Sequence, residues 1–388
     1  MKKIDHTPWP SFSDEEGDLA KKILLSNRVN YWTGNECRKF EKEFASWANC
    51  KYAIALANGT LALDIALHAL DVKEGDEIIV TPRSFIASAS CVVNAGAKPV
   101  FADVEINSGN INAESILSKI SKKTKAVICV HITGHPCEMD EIVEVCKKHD
   151  IFLIEDCSQA HGAEYKKQPV GSLGDIGCFS FCQDKIMTTG GEGGMVVTNN
   201  KLYWEKMWSF KDHGKNFELT SQATPKVGFR WVHTSIGSNF RMTEIQAGLG
   251  RYQLKKVADW NSLRNKNALK IIDACNQFPD FYRVPFVGNH LTHAWYKLNI
   301  FIHDNVGFSS EEIIDKFLSY GVPCFSGPCP EIYLEKAFDF LDQKDRFLPN
   351  ANFLGKKSLM FLVHPTLTDR EISDVCTSIK KVAEFFND

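Results

Sequence analysis

From about residue 51 to residue 181, short apolar runs rich in β-branched and aromatic side chains alternate with stretches in which apolar residues recur at helical spacing. The runs at 52–57, 77–81, 98–102, 125–131, 151–155 and 178–181 read as strands. The segments between them, such as 60–70, 84–95 and 138–149, have the length and periodicity of crossover helices. Such alternation predicts a largely parallel sheet covered by helices on both faces, with ligands at the carboxyl ends of its strands. Ahead of it, Ser13 and Glu16 form a capping-box pair before Leu19, Ile23 and Leu24, which predicts a first helix. After Asn239 the pattern turns helical: Met242, Ile245, Leu249, Tyr252 and Leu254 mark one apolar face through to Trp260. Strand-like 296–302, a helix over 309–318 and strand-like 361–363 then predict a smaller α/β unit. The expected division is a large domain over residues 1–260 and a small C-terminal α/β domain over 261–388.

Composition agrees with a folded α/β protein. Of 388 residues, 44% are hydrophobic and 24% charged, enough apolar side chain for a large core. Lys and Arg number 45 against 48 Asp and Glu, a formal charge of −3, so no bulk field favours nucleic acid or an anionic membrane as partner. Apolar stretches such as 126–132 fall well short of the roughly 20 residues that span a bilayer, and residues 1–10 hold no apolar secretory core. The 13 cysteines are scattered singly, without paired zinc spacing or a disulfide framework. Buried free thiols in a reducing cytoplasm are the expectation.

The alternation also suits nucleotide-binding folds, but no G-x-G-x-x-G follows the first strand and no G-x-x-x-x-G-K-[ST] occurs anywhere. The first strand instead runs through Ala57-Asn58-Gly59-Thr60 into a helical pattern. Free amides at a helix start, with Gly59 and the Thr60 hydroxyl, would seat a phosphate, although an ordinary strand-to-helix turn uses the same residues.

The fifth strand leads into Glu155-Asp156-Cys157-Ser158-Gln159-Ala160-His161-Gly162. An acid at that end of a strand faces the ligand cleft, where the proton of a pyridine nitrogen would be a suitable partner; a structural Asp in a turn is the alternative. The run from Cys178 to Gly194 carries Lys185 between an apolar strand and four glycines. A lysine so placed can attack an aldehyde, and the glycines permit close backbone approach, or simply a tight hairpin. Together the three elements are a phosphate seat, an acid for a ring nitrogen and a Schiff-base lysine. Pyridoxal 5′-phosphate needs all three.

At these motifs the sequence resembles the DegT/DnrJ/EryC1/StrS family of sugar aminotransferases, pyridoxal-phosphate enzymes of fold type I. The likeness is strongest at Asn58–Thr60, Glu155–Gly162, Ser180–Gly194 and Asn239–Met242. The resemblance implies an aspartate-aminotransferase-like fold, with a mostly parallel seven-stranded sheet in the large domain. It implies that Lys185 carries the cofactor as a Schiff base and that Asp156 pairs with the pyridine nitrogen. Gln159 would contact the phenolic oxygen, Phe85 would lie against the ring, and Gly59, Thr60 and Ser180 would hold the phosphate. Asn239 would reach the phosphate from the second subunit of a homodimer whose active sites lie at the interface, while a helix N-cap is its local alternative.

The implied reaction is transfer of an amino group from a donor, glutamate by resemblance, to a nucleotide-linked keto-deoxysugar for glycan precursors. A cyclitol or small phosphorylated ketone as acceptor, or a pyridoxal-phosphate sugar dehydratase, are the alternatives. Family dehydratases carry histidine at the position of Lys185, so lysine favours transamination. Arg83-Ser84 before Phe85, and Asn35-Glu36 after Trp32–Gly34, depart from the usual family residues. Arg83 is either a grip for a substrate anion or a surface residue. His131, His135, His161 and His213 have no local ligand array, so packed or cleft-lining imidazoles are expected in place of a metal.

Overall fold

A computed structural model describes residues 6–221, 230–342 and 347–387. The expected apolar runs form a central sheet of seven strands: β1 (Tyr52–Leu56), β2 (Glu77–Val80), β3 (Lys98–Phe101), β4 (Thr124–Val130), β5 (Phe152–Asp156), β6 (Ile176–Ser180) and β7 (Gly194–Thr198). Their order is β1-β7-β6-β5-β4-β2-β3. Strands β3, β2, β4, β5 and β6 are parallel, while β7 runs antiparallel between β6 and β1. Every residue of β6 and β7 is buried, as a sheet covered on both faces requires.

Side chains leave successive strand positions on opposite faces, so each strand feeds two cores. Ile54 and Leu56 of β1, with Ile78, Val80, Ile128 and Ile154, pack against Leu63, Ala66 and Leu67 of the helix Gly59–Ala69. The intervening Ala53 and Ala55, with Phe179, Met195 and Val197, meet Phe40 and Phe44. Those two rings belong to the helix Glu36–Trp47, which the sequence pattern above does not mark because charged residues outnumber its apolar stripe. The predicted first helix is Asp14–Leu25, opened by the Ser13 and Glu16 capping box.

The apolar face after Asn239 is split between two helices, Glu244–Leu254 and Val257–Cys275. Residue 260 lies within the second. Its Val257 packs into the core beneath the large sheet, whereas Ala268, Ile271 and Cys275 join a separate C-terminal core. That core is built on a three-stranded antiparallel sheet of Tyr282–Arg283, Leu298–Ile302 and Ser358–Phe361, the last lying earlier than the predicted 361–363. Helices Ser310–Ser319 and Asp369–Asn387 cover it. Among the described residues, no helix is long and apolar enough to cross a membrane.

Candidate active site

The carboxyl ends of the parallel strands open into a cavity of about 740 Å³. Of the residues singled out in the sequence, Gly59, Thr60, Phe85, Asp156, Gln159, Ser180 and Lys185 all line it. Asn239 does not.

At one end, Asn58 caps the helix Gly59–Ala69: its side chain accepts from the Leu61 amide at 3.0 Å, placing the Gly59 and Thr60 amides at a helix start. Gly59 is required there by close approach. A Cβ on it would lie 2.8 Å from Ser180 Oγ and closer still to Ser180 Cβ, so β6 could not come in beside the turn. The Ser180 hydroxyl accepts from the Cys182 amide at 3.3 Å. The result is a cradle of amides and hydroxyls shaped for a phosphate.

Asp156, the last residue of β5, is buried, yet its carboxylate is bonded on both oxygens. Ser88 Oγ donates to Oδ2 at 2.8 Å and the Ser158 amide to Oδ1 at 3.1 Å. These two donors fix the orientation of the carboxylate at the strand end. Ser88 lies one helical turn beyond Phe85, whose ring is 65% exposed, an apolar face open to the cavity and suited to a flat ring. Gln159 accepts from the Thr133 amide at 2.7 Å through Oε1, which leaves its Nε2 as the remaining donor.

Lys185 sits in the connection 181–193 between β6 and β7, a wide excursion in place of the expected tight hairpin. Its carbonyl accepts from the Trp9 indole at 2.8 Å, and its Nζ stands 4.9 Å from the centre of the Tyr296 ring. The Tyr296 hydroxyl in turn donates to Asp184. Tyr296 belongs to the C-terminal part of the chain and carries no motif, so sequence reasoning had no signal for it. Ser88 was within reach, being a polar residue one turn after Phe85.

Asn239 is exposed, in a segment tied to the end of β1 by the Ala57 amide bonding to the Phe240 carbonyl at 3.0 Å. It is not a helix cap. Thr243 caps Glu244–Leu254, with Gln246 completing the box. Arg83 is no surface residue either: it is 1% exposed, donates to Ser358 Oγ at 2.8 Å and does not line the cavity.

The histidines divide by environment. His161 is enclosed against Phe179 and Phe181, and burial lowers its pKa to about 3. His131, Glu155 and Cys157 approach closely enough to suggest a metal, but Glu155 is already engaged by the amides of Gly171, Leu173 and Gly174 and by His131 Nε2. The second nitrogen of His131 accepts from the Cys137 amide. This cluster ties the 171–174 turn to β5. All thirteen cysteines are free.

The chain matches known proteins over nearly its whole length. Residues 10–380 match the DegT/DnrJ/EryC1/StrS aminotransferase family. The solved structure of an aminotransferase from Psychrobacter cryohalolentis superposes with a TM-score of 0.96, at 53% identity, covering 99% of this chain and 100% of that one. GDP-perosamine synthase from Escherichia coli O157:H7 is 33% identical over 98% of each chain. A UDP-N-acetyl-3-dehydro-α-D-glucosamine 3-aminotransferase from Acidithiobacillus ferrooxidans is 32% identical over 91% of this chain and 90% of its own.

Proposed function

The chain belongs to the DegT/DnrJ/EryC1/StrS aminotransferase family and is a pyridoxal-phosphate aminotransferase of fold type I, and on that premise we propose that it moves an amino group from glutamate to a nucleotide-linked keto-deoxysugar. The observation that carries this reading is the convergence of Lys185, Asp156, Gln159, Phe85 and the Gly59–Ser180 cradle on one cavity. The names of the two curated relatives, one a GDP-sugar synthase and one an aminotransferase of a UDP-linked dehydro sugar, support the class of acceptor.

When bound, pyridoxal phosphate supplies an aldehyde that condenses with amines and a protonated ring that withdraws electrons from the neighbouring carbon. Lys185 Nζ would be the amine that moors it. Asp156, oriented by Ser88 and the Ser158 amide, would pair with the ring nitrogen. Gln159 Nε2 would donate to the phenolic oxygen, Phe85 would lie against the ring, and Gly59, Thr60 and Ser180 would hold the phosphate. Lys185 Nζ, tethered in the cavity, would also be the group that moves a proton during the reaction. The same residues would serve both the donor and the keto sugar, which take turns in the one cavity.

Asn239, exposed and outside its own chain's cavity, completes the phosphate site of a second copy in this reading, which makes the working unit a homodimer.

The test is the visible spectrum of the purified protein before and after glutamate, followed by a panel of ketones. Loss of the Schiff-base band on adding glutamate, with 2-oxoglutarate formed and an aminated nucleotide sugar as product, is the expected result. Reaction only with a cyclitol or small phosphorylated ketone would move the acceptor class. Water loss without amine transfer would make the protein a dehydratase.

A further inference from the structure

Besides Lys185, the wall of the cavity carries a second lysine, Lys297. Asp184, Tyr296 and Lys297 line it, and the same three residues also line an adjoining cavity of about 460 Å³. The second cavity is bounded by Arg264, His364 and the segment His6–Trp9. Three cations, Lys185, Lys297 and Arg264, thus gather about Asp184, while the first cavity's other carboxylates are Asp156 and Glu192. Glu371, which lies beside His6 and Thr7 of the second cavity, is engaged by His6 and by both the amide and the hydroxyl of Thr7. His364 adds no charge, since burial lowers its pKa to about 3.

Lys297 immediately precedes the strand Leu298–Ile302, and its side chain is 18% exposed. Its carboxylate neighbour is Asp184, at 3.7 Å, beyond hydrogen-bond distance, and Asp184 already accepts from the Tyr296 hydroxyl. An ammonium has three donors, so Lys297 retains capacity for a second anion. Burial lowers its pKa, with Arg264 and Lys185 acting in the same sense, and an arriving negative charge would relieve that cost. Arg264, itself fully buried, donates from Nη1 to the carbonyls of Trp295 and Tyr296, at 3.3 and 3.1 Å, and so fixes the backbone that presents Lys297. Its Nε and Nη2 have no partner among the described residues.

We propose that Lys297, positioned by Arg264, is the group that grips a carboxylate of the amino donor. Nothing in the motif set points to it. This deepens the aminotransferase reading above and rests on it: both the donor and the keto acid that leaves carry a carboxylate, and Lys297 lines the same cavity as Lys185, about the same Tyr296 ring. Lys185 Nζ and Lys297 Nζ stand 4.9 and 5.1 Å from the centre of that ring. A donor can therefore be held by its acid end while its amine meets the cofactor.

The test uses the holoenzyme and Lys297→Met, with Lys297→Arg as the charge-retaining control. In the donor half-reaction, followed by the cofactor's visible absorption, Lys297→Met is expected to raise the KM for glutamate about tenfold or more. Its reaction with n-butylamine, which has no carboxylate, should change far less, and Lys297→Arg should recover much of the loss. Glutarate, a dicarboxylate without an amine, should bind the wild-type holoenzyme in calorimetry and bind Lys297→Met about tenfold more weakly. Unchanged glutamate KM, or equal losses with glutamate and n-butylamine, would overturn the assignment. So would a rise confined to the KM of the keto sugar, which would assign Lys297 to the acceptor's phosphates. The glutarate titration reads the subsite even if no donor bleaches the cofactor, so failure of the aminotransferase reading and failure of this one are seen separately.

Discussion

Ser88 Oγ donates to Asp156 Oδ2 at 2.8 Å, joining the helix that follows Phe85 to the strand end that carries the acid. One serine thus couples the apolar face of the site to its electrostatic partner. A hydrogen bond to a charged group contributes about 1.5–3 kcal/mol. For Ser88→Ala we expect cofactor affinity and turnover to fall together by about tenfold or more. Wild-type values for both in this variant would show that Asp156 does not depend on that bond.

Lys185→Ala should abolish covalent attachment of the cofactor and reduce turnover to background, while the phosphate cradle retains some cofactor by non-covalent contacts. Borohydride reduction followed by peptide mass spectrometry should place the label on Lys185 in the wild type and on no peptide in the variant. A label on another lysine would reject the assigned role.

Gly59→Ala places a methyl group against Ser180, where both backbones are held in the sheet and the helix start. Forcing a methyl into packed surroundings costs typically about 1–3 kcal/mol. The expected outcome is a lower melting temperature together with weakened binding of the cofactor's phosphate. Unchanged stability and affinity would mean that the turn can move aside freely.

Glu155 holds the 171–174 turn through three backbone amides, at 2.8, 2.8 and 2.6 Å, besides its contact with His131. In Glu155→Gln the new amide group faces N–H donors and leaves some of them buried without an acceptor. A loss of about 2–4 kcal/mol in denaturant unfolding is expected, and a loss below about 0.5 kcal/mol would contradict the proposed strap.

His161 supplies a pH dependence. Its folded pKa, about 3, lies below its ordinary value of 6.5 because burial disfavours the imidazolium. Between those values the unfolded chain binds a proton that the folded chain does not, so stability declines as pH falls from about 6.5 towards 3. The slope is about 1.4 kcal/mol per pH unit for one such group. His161→Phe should flatten the fall between pH 6.5 and 5 in denaturant titrations; an identical slope would locate the effect in other groups.

Much of the site was legible in the chain because its signals are local. The alternation of short apolar runs with helical patterns places the strands that carry Asp156 and Ser180, and the short motifs around Asn58, Asp156 and Lys185 name residues that do line one cavity. The Ser13 and Glu16 box likewise needs only three residues of sequence to act. By contrast, Ser88 and Asp156 are 68 positions apart, and Asp184 and Tyr296 are 112 apart. Such pairs depend on strand order and on how the C-terminal unit packs over the large sheet, which no local pattern encodes. Arg83 and Lys297 look alike in sequence, as lone cations beside apolar residues, yet one is enclosed against Ser358 and the other faces the cavity. The chain's own periodicity and motifs determined the elements and marked Gly59, Asp156 and Lys185, which line the cavity; folding alone decided their partners, because those contacts join strand ends and loops distant in sequence.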